Sequence, residues 1–210
     1  MSRPRLRHRR TAAGNDRAAP AGTATRILDV AEALVQSRGF NGFSYADVAG
    51  QLGVTKASLH YHYPGKSELG EALINRYAQR FGEALQAIDA DCHDVQAKLA
   101  AYAALYASVM SQHRMCLCGM LAADYETLQP AMRDSVVRFF DANEAWLAGV
   151  LQQGRAEGTL SYAGSAKEQA QLIVSALEGA MLVARPYGDP QRFTATAEGL
   201  LATLNRRPVP

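Results

Sequence analysis

The chain has 210 residues, 48% of them apolar, and a formal net charge of only +2. That is enough material for a sizeable core and is the composition of an ordinary globular protein, which argues against a fibrous or wholly disordered chain. Its longest nearly apolar run, Leu172 to Ala184, is broken by Glu178 and is too short to span a bilayer. Cys92, Cys116 and Cys118 lack zinc-finger or disulfide-framework spacing, which points to a reduced, cytoplasmic protein without membrane attachment.

Residues 1–22 read as a flexible basic arm. Six arginines against one acid, Asp16, give it +5 and leave about −3 for the remainder. No apolar stretch follows the arginines, so the segment is not a secretory signal. An arm of this charge ahead of an acidic body suits an anionic polymer at the N-terminal end, through phosphate contacts or a minor groove. The same composition also fits an unstructured leader.

Helix 1 starts at Thr23 or Thr25, carries Ile27, Val30, Ala31, Leu34 and Val35 on one stripe, and stops at Gly39. Two short helices follow, separated by a tight turn. Ser44 is placed to cap the first, Asp47 puts a negative charge at its positive end, and Phe43 and Val48 have the spacing of a hydrophobic staple. Gly53 can take the left-handed conformation that ends it, and Thr55 caps the next helix. The pattern predicts a helix-turn-helix. With Leu59 pointing inward, the second helix shows an outer face of Thr55, Lys56, Ser58, His60, Tyr61 and His62, every one a hydrogen-bond donor. Such a face suits a groove lined with phosphate oxygens and base edges; the alternative is a small solvated surface helix. Pro64-Gly65-Lys66 then gives a sharp stop, another cation and the start of a long helix.

Gly39-Phe40, Ser44-Tyr45-Ala46-Asp47-Val48-Ala49, Gly53-Val54-Thr55-Lys56-Ala57-Ser58-Leu59-His60-Tyr61-His62-Tyr63 and Lys66-Ser67-Glu68-Leu69 together resemble the DNA-binding domain of the TetR family of bacterial transcriptional regulators. The resemblance covers about residues 23–70. Ala57 stands where the family often has Gly, His60 where it often has Tyr, and Tyr63 where Phe is usual. It implies an all-α chain: a helix-turn-helix domain over 23–68, then a helical ligand-binding and dimerisation domain over 69–210. It also implies that Ser44, Tyr45, Thr55, Lys56, Ala57, Ser58, His60, Tyr61, His62 and Lys66 meet double-stranded DNA. Lys56 and Lys66 would act on phosphate, and Ser58, His60 and Tyr61 on sequence preference.

From Lys66 a helix runs to about Ala90, with Leu69, Leu73, Tyr77, Phe81 and Leu85 at steps of four, long enough to link two domains. Further helices are expected over Val95–Gln112, Met115–Asp124 and from Pro130 to about Gly158. Their aromatic and soft side chains (Tyr102, Tyr106, Met110, His113, Phe139 and Trp146) could line an apolar pocket for a small molecule. Ordinary bundle core is the alternative for each of them singly.

The last two helices, about Ala166–Arg185 and Pro190–Asn205, are the expected subunit interface. Leu172, Ala176, Gly179, Ala180 and Val183 contribute from the first; Phe193, Ala197, Leu200 and Leu204 from the second. The TetR resemblance favours a four-helix homodimer over an intramolecular core, with recognition helices about 34–36 Å apart on a palindromic operator.

No phosphate loop, nucleophile elbow or helix-borne H-E-x-x-H occurs, so an enzyme is the weaker hypothesis, and neither a cofactor nor a metal is implied. Cys92 and His93, being adjacent, point apart. Cys116-Leu117-Cys118 has two readings: an oxidant or electrophile sensor, with Arg114 nearby to favour a thiolate, or small buried hydrophobes. The function expected is a ligand-responsive regulator, a repressor by family habit, released from its operator by a small-molecule inducer.

Overall fold

The computed structural model describes residues 22–205, and the Arg-rich arm expected over 1–22 lies outside them except for Gly22. Among the described residues the chain is all helical and has no strand. The helices are α1 (Thr23–Arg38), α2 (Tyr45–Leu52), α3 (Lys56–His62), α4 (Lys66–Asp91), α5 (Val95–Met110), α6 (Leu117–Ala123), α7 (Pro130–Ala156), α8 (Ala166–Ala184) and α9 (Pro190–Thr203).

Their ends follow from local chemistry. Ser44 and Asp47 form a complete capping box at α2, Thr55 accepts from the Ser58 N–H at α3, and Ser165 and Glu168 repeat the box at α8. Gly53 closes α2 at φ 67°, a left-handed conformation in which a side chain would be strained. α5 ends earlier than its apolar pattern, because Ser111-Gln112-His113 turns the chain and His113 itself takes φ 57°. α6 is correspondingly shorter at its start, with Cys116 as its cap.

α1, α2 and α3 close a small core over Ile27, Leu34, Phe40, Phe43, Val48 and Leu59, all buried. α4 leaves this unit and runs into the body, packing on α5 and α7. A cluster absent from the apolar pattern fixes its departure from α1: Arg76 reaches Asp29 at 2.7 Å and Glu32 at 2.8 Å, and Arg80 reaches Glu32 at 2.5 Å. α8 lies mainly against α7 and α9.

The expected interface residues divide. Leu172, Gly179 and Val183 line one outward face of α8, with Leu172 53% and Val183 60% exposed, and Ala176 and Ala180 are half-buried beside them. Phe193, Ala197 and Leu204 do not face outward. They are 1%, 4% and 1% exposed, because α9 uses that stripe to pack on α5 and α8 of its own chain. Only Leu200 of the α9 set is partly open.

Candidate nucleic-acid interface and ligand-binding body

The helix-turn-helix is a rigid platform. Tyr45 packs its ring 4.7 Å from that of His60, and its hydroxyl lies 2.9 Å from the Tyr63 carbonyl and 2.6 Å from that of Gly65. Desolvation, with the Glu68 charge second, pushes this phenol up to about 12, so it stays a neutral donor. Tyr45 therefore holds the end of α3 against α2, and its hydroxyl is occupied rather than free for DNA. Lys66 departs further from expectation. Its ammonium donates to the Phe43 carbonyl at 2.7 Å and lies 4.8 and 4.4 Å from the centroids of Phe40 and Phe43. Burial lowers its pKa, and the cation ties α4 to the domain core instead of standing out toward phosphate.

What stays outward is α3. Lys56, Ala57, His60 and Tyr61 are exposed, Ser58 and His62 half-buried, and Thr55 and Ser44 sit exposed at the two helix starts. Tyr61 is 85% exposed, an unusual position for a large aromatic ring, and among the described residues its only ring neighbour is His62 at 5.2 Å. His60 Nδ1 lies 2.9 Å from the Pro64 carbonyl, which can only accept. A hydrogen on Nδ1 satisfies that carbonyl, so this ring nitrogen is engaged within the platform and is not free for DNA.

In the body, Phe81 of α4 is the centre of an aromatic cluster, with ring centroids 6.1 Å from Tyr102, 6.0 Å from Tyr106 and 5.3 Å from Phe139. Tyr102 and Tyr106 are fully enclosed, their hydroxyls 3.1 Å apart, and Tyr102 donates to Asn143 at 3.3 Å. Trp146 stacks on Tyr102 at 5.6 Å and donates to Asp89 at 2.8 Å. Between α4 and α7, Phe81, Ile74, Leu85 and Phe139 line a hollow of about 130 Å³, with Asn75, Ser135, Arg138 and Asn143 as polar groups. Of the expected pocket residues only Phe139 lines it, while Tyr102, Tyr106 and Trp146 form the layer behind. Met110 and His113 lie on a separate cleft.

Beside that layer is a polar group the sequence reading missed. Glu178 of α8 has its carboxylate enclosed next to Cys116, with Oε1 lacking a partner among the described residues. Burial raises its pKa to about 7. Gly119 is what admits it: a Cβ there would lie 2.3 Å from Oε2. Both thiols are buried, and desolvation followed by the Glu178 charge pushes each well up, so they rest as neutral thiols. The Tyr77 hydroxyl points at Cys116 Sγ from 3.7 Å.

The segment around α6 also joins body to platform. Asp124 accepts from the Phe40 N–H at 2.7 Å, Asn41 donates to Thr127 at 2.8 Å, and the Met115 N–H donates to the Gln36 carbonyl at 3.1 Å. Arg185, just past α8, donates to the Ser37 carbonyl. Such polar contacts carry no periodicity, and nothing in the sequence flagged them.

A capped helix-turn-helix presenting a polar, aromatic face, carried on a larger helical body, defines a DNA-binding transcriptional regulator. Residues 27–73 match the model of bacterial regulatory proteins of the tetR family, and residues 95–200 that of the tetracyclin repressor-like C-terminal domain. The chain belongs to the TetR family. A TetR-family regulator from Agrobacterium tumefaciens is 31% identical with a TM-score of 0.84, the match covering 87% of this chain and 97% of that one. A TetR transcriptional regulator from Legionella pneumophila is 32% identical, TM-score 0.80, over 88% and 98%. The HTH-type transcriptional repressor NemR of Escherichia coli (strain K12) is 26% identical over 191 residues, 86% of this chain and 94% of NemR.

Proposed function

We propose that this regulator works as a homodimeric cytoplasmic repressor, binding a palindromic operator through α3 and leaving it when a small molecule enters the body. The observation that carries the DNA assignment is Tyr61, a tyrosine left bare on a helix that also exposes Lys56, Ala57 and His60, with Ser58 half-buried beside them. Lys56 would neutralise phosphate, while Ser58, His60 and Tyr61 read base edges.

The hollow between α4 and α7 is the place for an inducer, because its occupant would touch the helix that enters the DNA-binding domain. A ligand binding better to a splayed arrangement would move α4 and change the spacing of the two recognition helices. Ligand and operator would then oppose each other reciprocally.

A second reading, sensing of oxidants or electrophiles, is favoured by the place of Cys116: it caps α6, the helix joined to the DNA-binding domain through Asp124. Modification there would have to be preceded by opening of the core, since the thiol is enclosed and neutral.

The deciding experiment is footprinting on DNA beside the protein's own gene, repeated with candidate small molecules and with an oxidant. Protection of two half-sites, lost with a ligand in wild type and in a C116S/C118S variant alike, supports the first reading. Release by oxidant that disappears in the double variant supports the second. No protection of any fragment in dilute salt would defeat both.

A further inference from the structure

A cleft of about 230 Å³ lies between the end of α5 and the junction of α8 with α9, away from both surfaces used so far. Met110, Met115 and Pro190 give it an apolar wall. Its charges are unbalanced. Arg114 is half-buried on the cleft, and among the described residues nothing hydrogen-bonds or ion-pairs with its guanidinium. Arg185 also lines the cleft and, among the described residues, is held by neutral groups, the Ser37 carbonyl and Met120 Sδ at 3.5 Å. The one carboxylate present, Asp189, is turned to cap α9 by accepting from the Gln191 N–H at 3.0 Å, and it pairs with neither arginine. Two guanidiniums and one carboxylate therefore line one concave, partly apolar space, a local excess of one positive charge, and His113 lies on its edge.

We propose that this cleft binds a small organic oxyanion, a carboxylate or phosphate monoester on a short apolar body, its oxygens held between Arg114 and Arg185. Arg114 can offer the paired N–H donors that such a group accepts, and Arg185, whose terminal nitrogens already donate to the Ser37 carbonyl and Met120, adds its remaining N–H groups and its charge. The body of the ligand rests on Met110, Met115 and Pro190. Occupancy reaches the DNA-binding domain directly, since Arg185 and Met115 are the residues bonded to the last turn of α1 at Ser37 and Gln36. The site is distinct from the α4–α7 hollow and stands whether or not that hollow takes an inducer.

The test is isothermal titration of the full-length protein, without DNA, in chloride buffer of fixed ionic strength. Inorganic phosphate and butyrate serve as the two probes. The expected result is saturable millimolar binding of at least one probe, and which of them binds more tightly tells phosphate from carboxylate chemistry. Arg114→Gln should weaken that binding at least tenfold while leaving melting temperature and operator affinity in the absence of anion unchanged. Arg114→Lys, which keeps the charge but loses the fork, should fall between. Lys56→Ala should bind the anion as wild type does. Absence of saturable heat with either probe would overturn the proposal. So would unchanged affinity in Arg114→Gln, or loss of binding in Lys56→Ala, which would put the anion on the DNA-facing surface.

Discussion

The ammonium of Lys66 sits 2.7 Å from the carbonyl of Phe43 and over its ring, so the first cation of α4 is a bolt inside the DNA-binding domain. Lys66→Ala should cost about 2 kcal/mol, a charged hydrogen bond plus a partly desolvated cation–π contact. It should leave the salt dependence of DNA binding unaltered once the protein is kept folded. Lys56→Ala should do the opposite: unchanged thermal stability, weaker binding to all sequences, and a salt slope shallower by about 1. Thermal melts beside a salt titration of operator affinity separate the two, and a slope change in the Lys66 variant would return that residue to the phosphate contacts.

Glu178 makes stability depend on pH near neutrality. Its folded pKa, raised by burial to about 7, lies above the ordinary carboxyl value of 4.5. Between those two values the folded state holds the proton more tightly than the unfolded state. This contribution is therefore fully present below pH 4.5 and is lost as pH rises through about 7. The loss should amount to about 3 kcal/mol. Glu178→Gln keeps the shape without the charge and should be more stable than wild type at pH 8. Chemical denaturation at pH 5, 6, 7 and 8 checks it: parallel pH profiles for the two proteins would remove Glu178 as the cause.

How much of this was legible beforehand follows from what kind of signal each feature leaves. Ser44, Gly53 and Thr55 announced themselves because caps and left-handed turns demand particular residue types at particular spacings, and the structure has each where the spacing put it. The apolar stripes of α4 and α8 were equally plain. Phe193, Ala197 and Leu204 face their own chain and not a partner; an amphipathic stripe says that a face is covered and not by which chain. Lys66 departs from the phosphate role expected of it because its partner is a backbone carbonyl, that of Phe43, which no sequence pattern encodes. Glu178 looked like a mere interruption of an apolar run; only the missing Cβ of Gly119, on another helix, explains how it fits inside.

The outward stripe of α8 should be what joins two chains in the proposed dimer. Leu172 and Val183 are large apolar groups more than half exposed, and Gly179 between them lets a second backbone approach closely. Leu172→Glu with Val183→Glu should give a monomer by light scattering, with helicity retained and operator affinity down at least a hundredfold. Phe193→Ala should instead lower stability by about 3–5 kcal/mol through a core cavity. A dimer that survives both glutamates would move the interface elsewhere.

Asp124 offers a way to cut the body from the platform without touching either site. Its carboxylate receives the Phe40 N–H at 2.7 Å and the Asn41 N–H at 3.4 Å, just beyond the end of α1, and holds the loop before α2 against the end of α6. Asp124→Ala removes both bonds while Arg76 and its acidic partners on α1 still tie α4 to α1. The variant should fold and bind operator within a few-fold of wild type, but a small molecule that releases wild type should shift its operator affinity far less. Measuring operator affinity with and without that ligand gives the coupling as a ratio for each protein. Equal ratios would mean that the signal travels along α4 alone and that the α6 contacts only steady the joint.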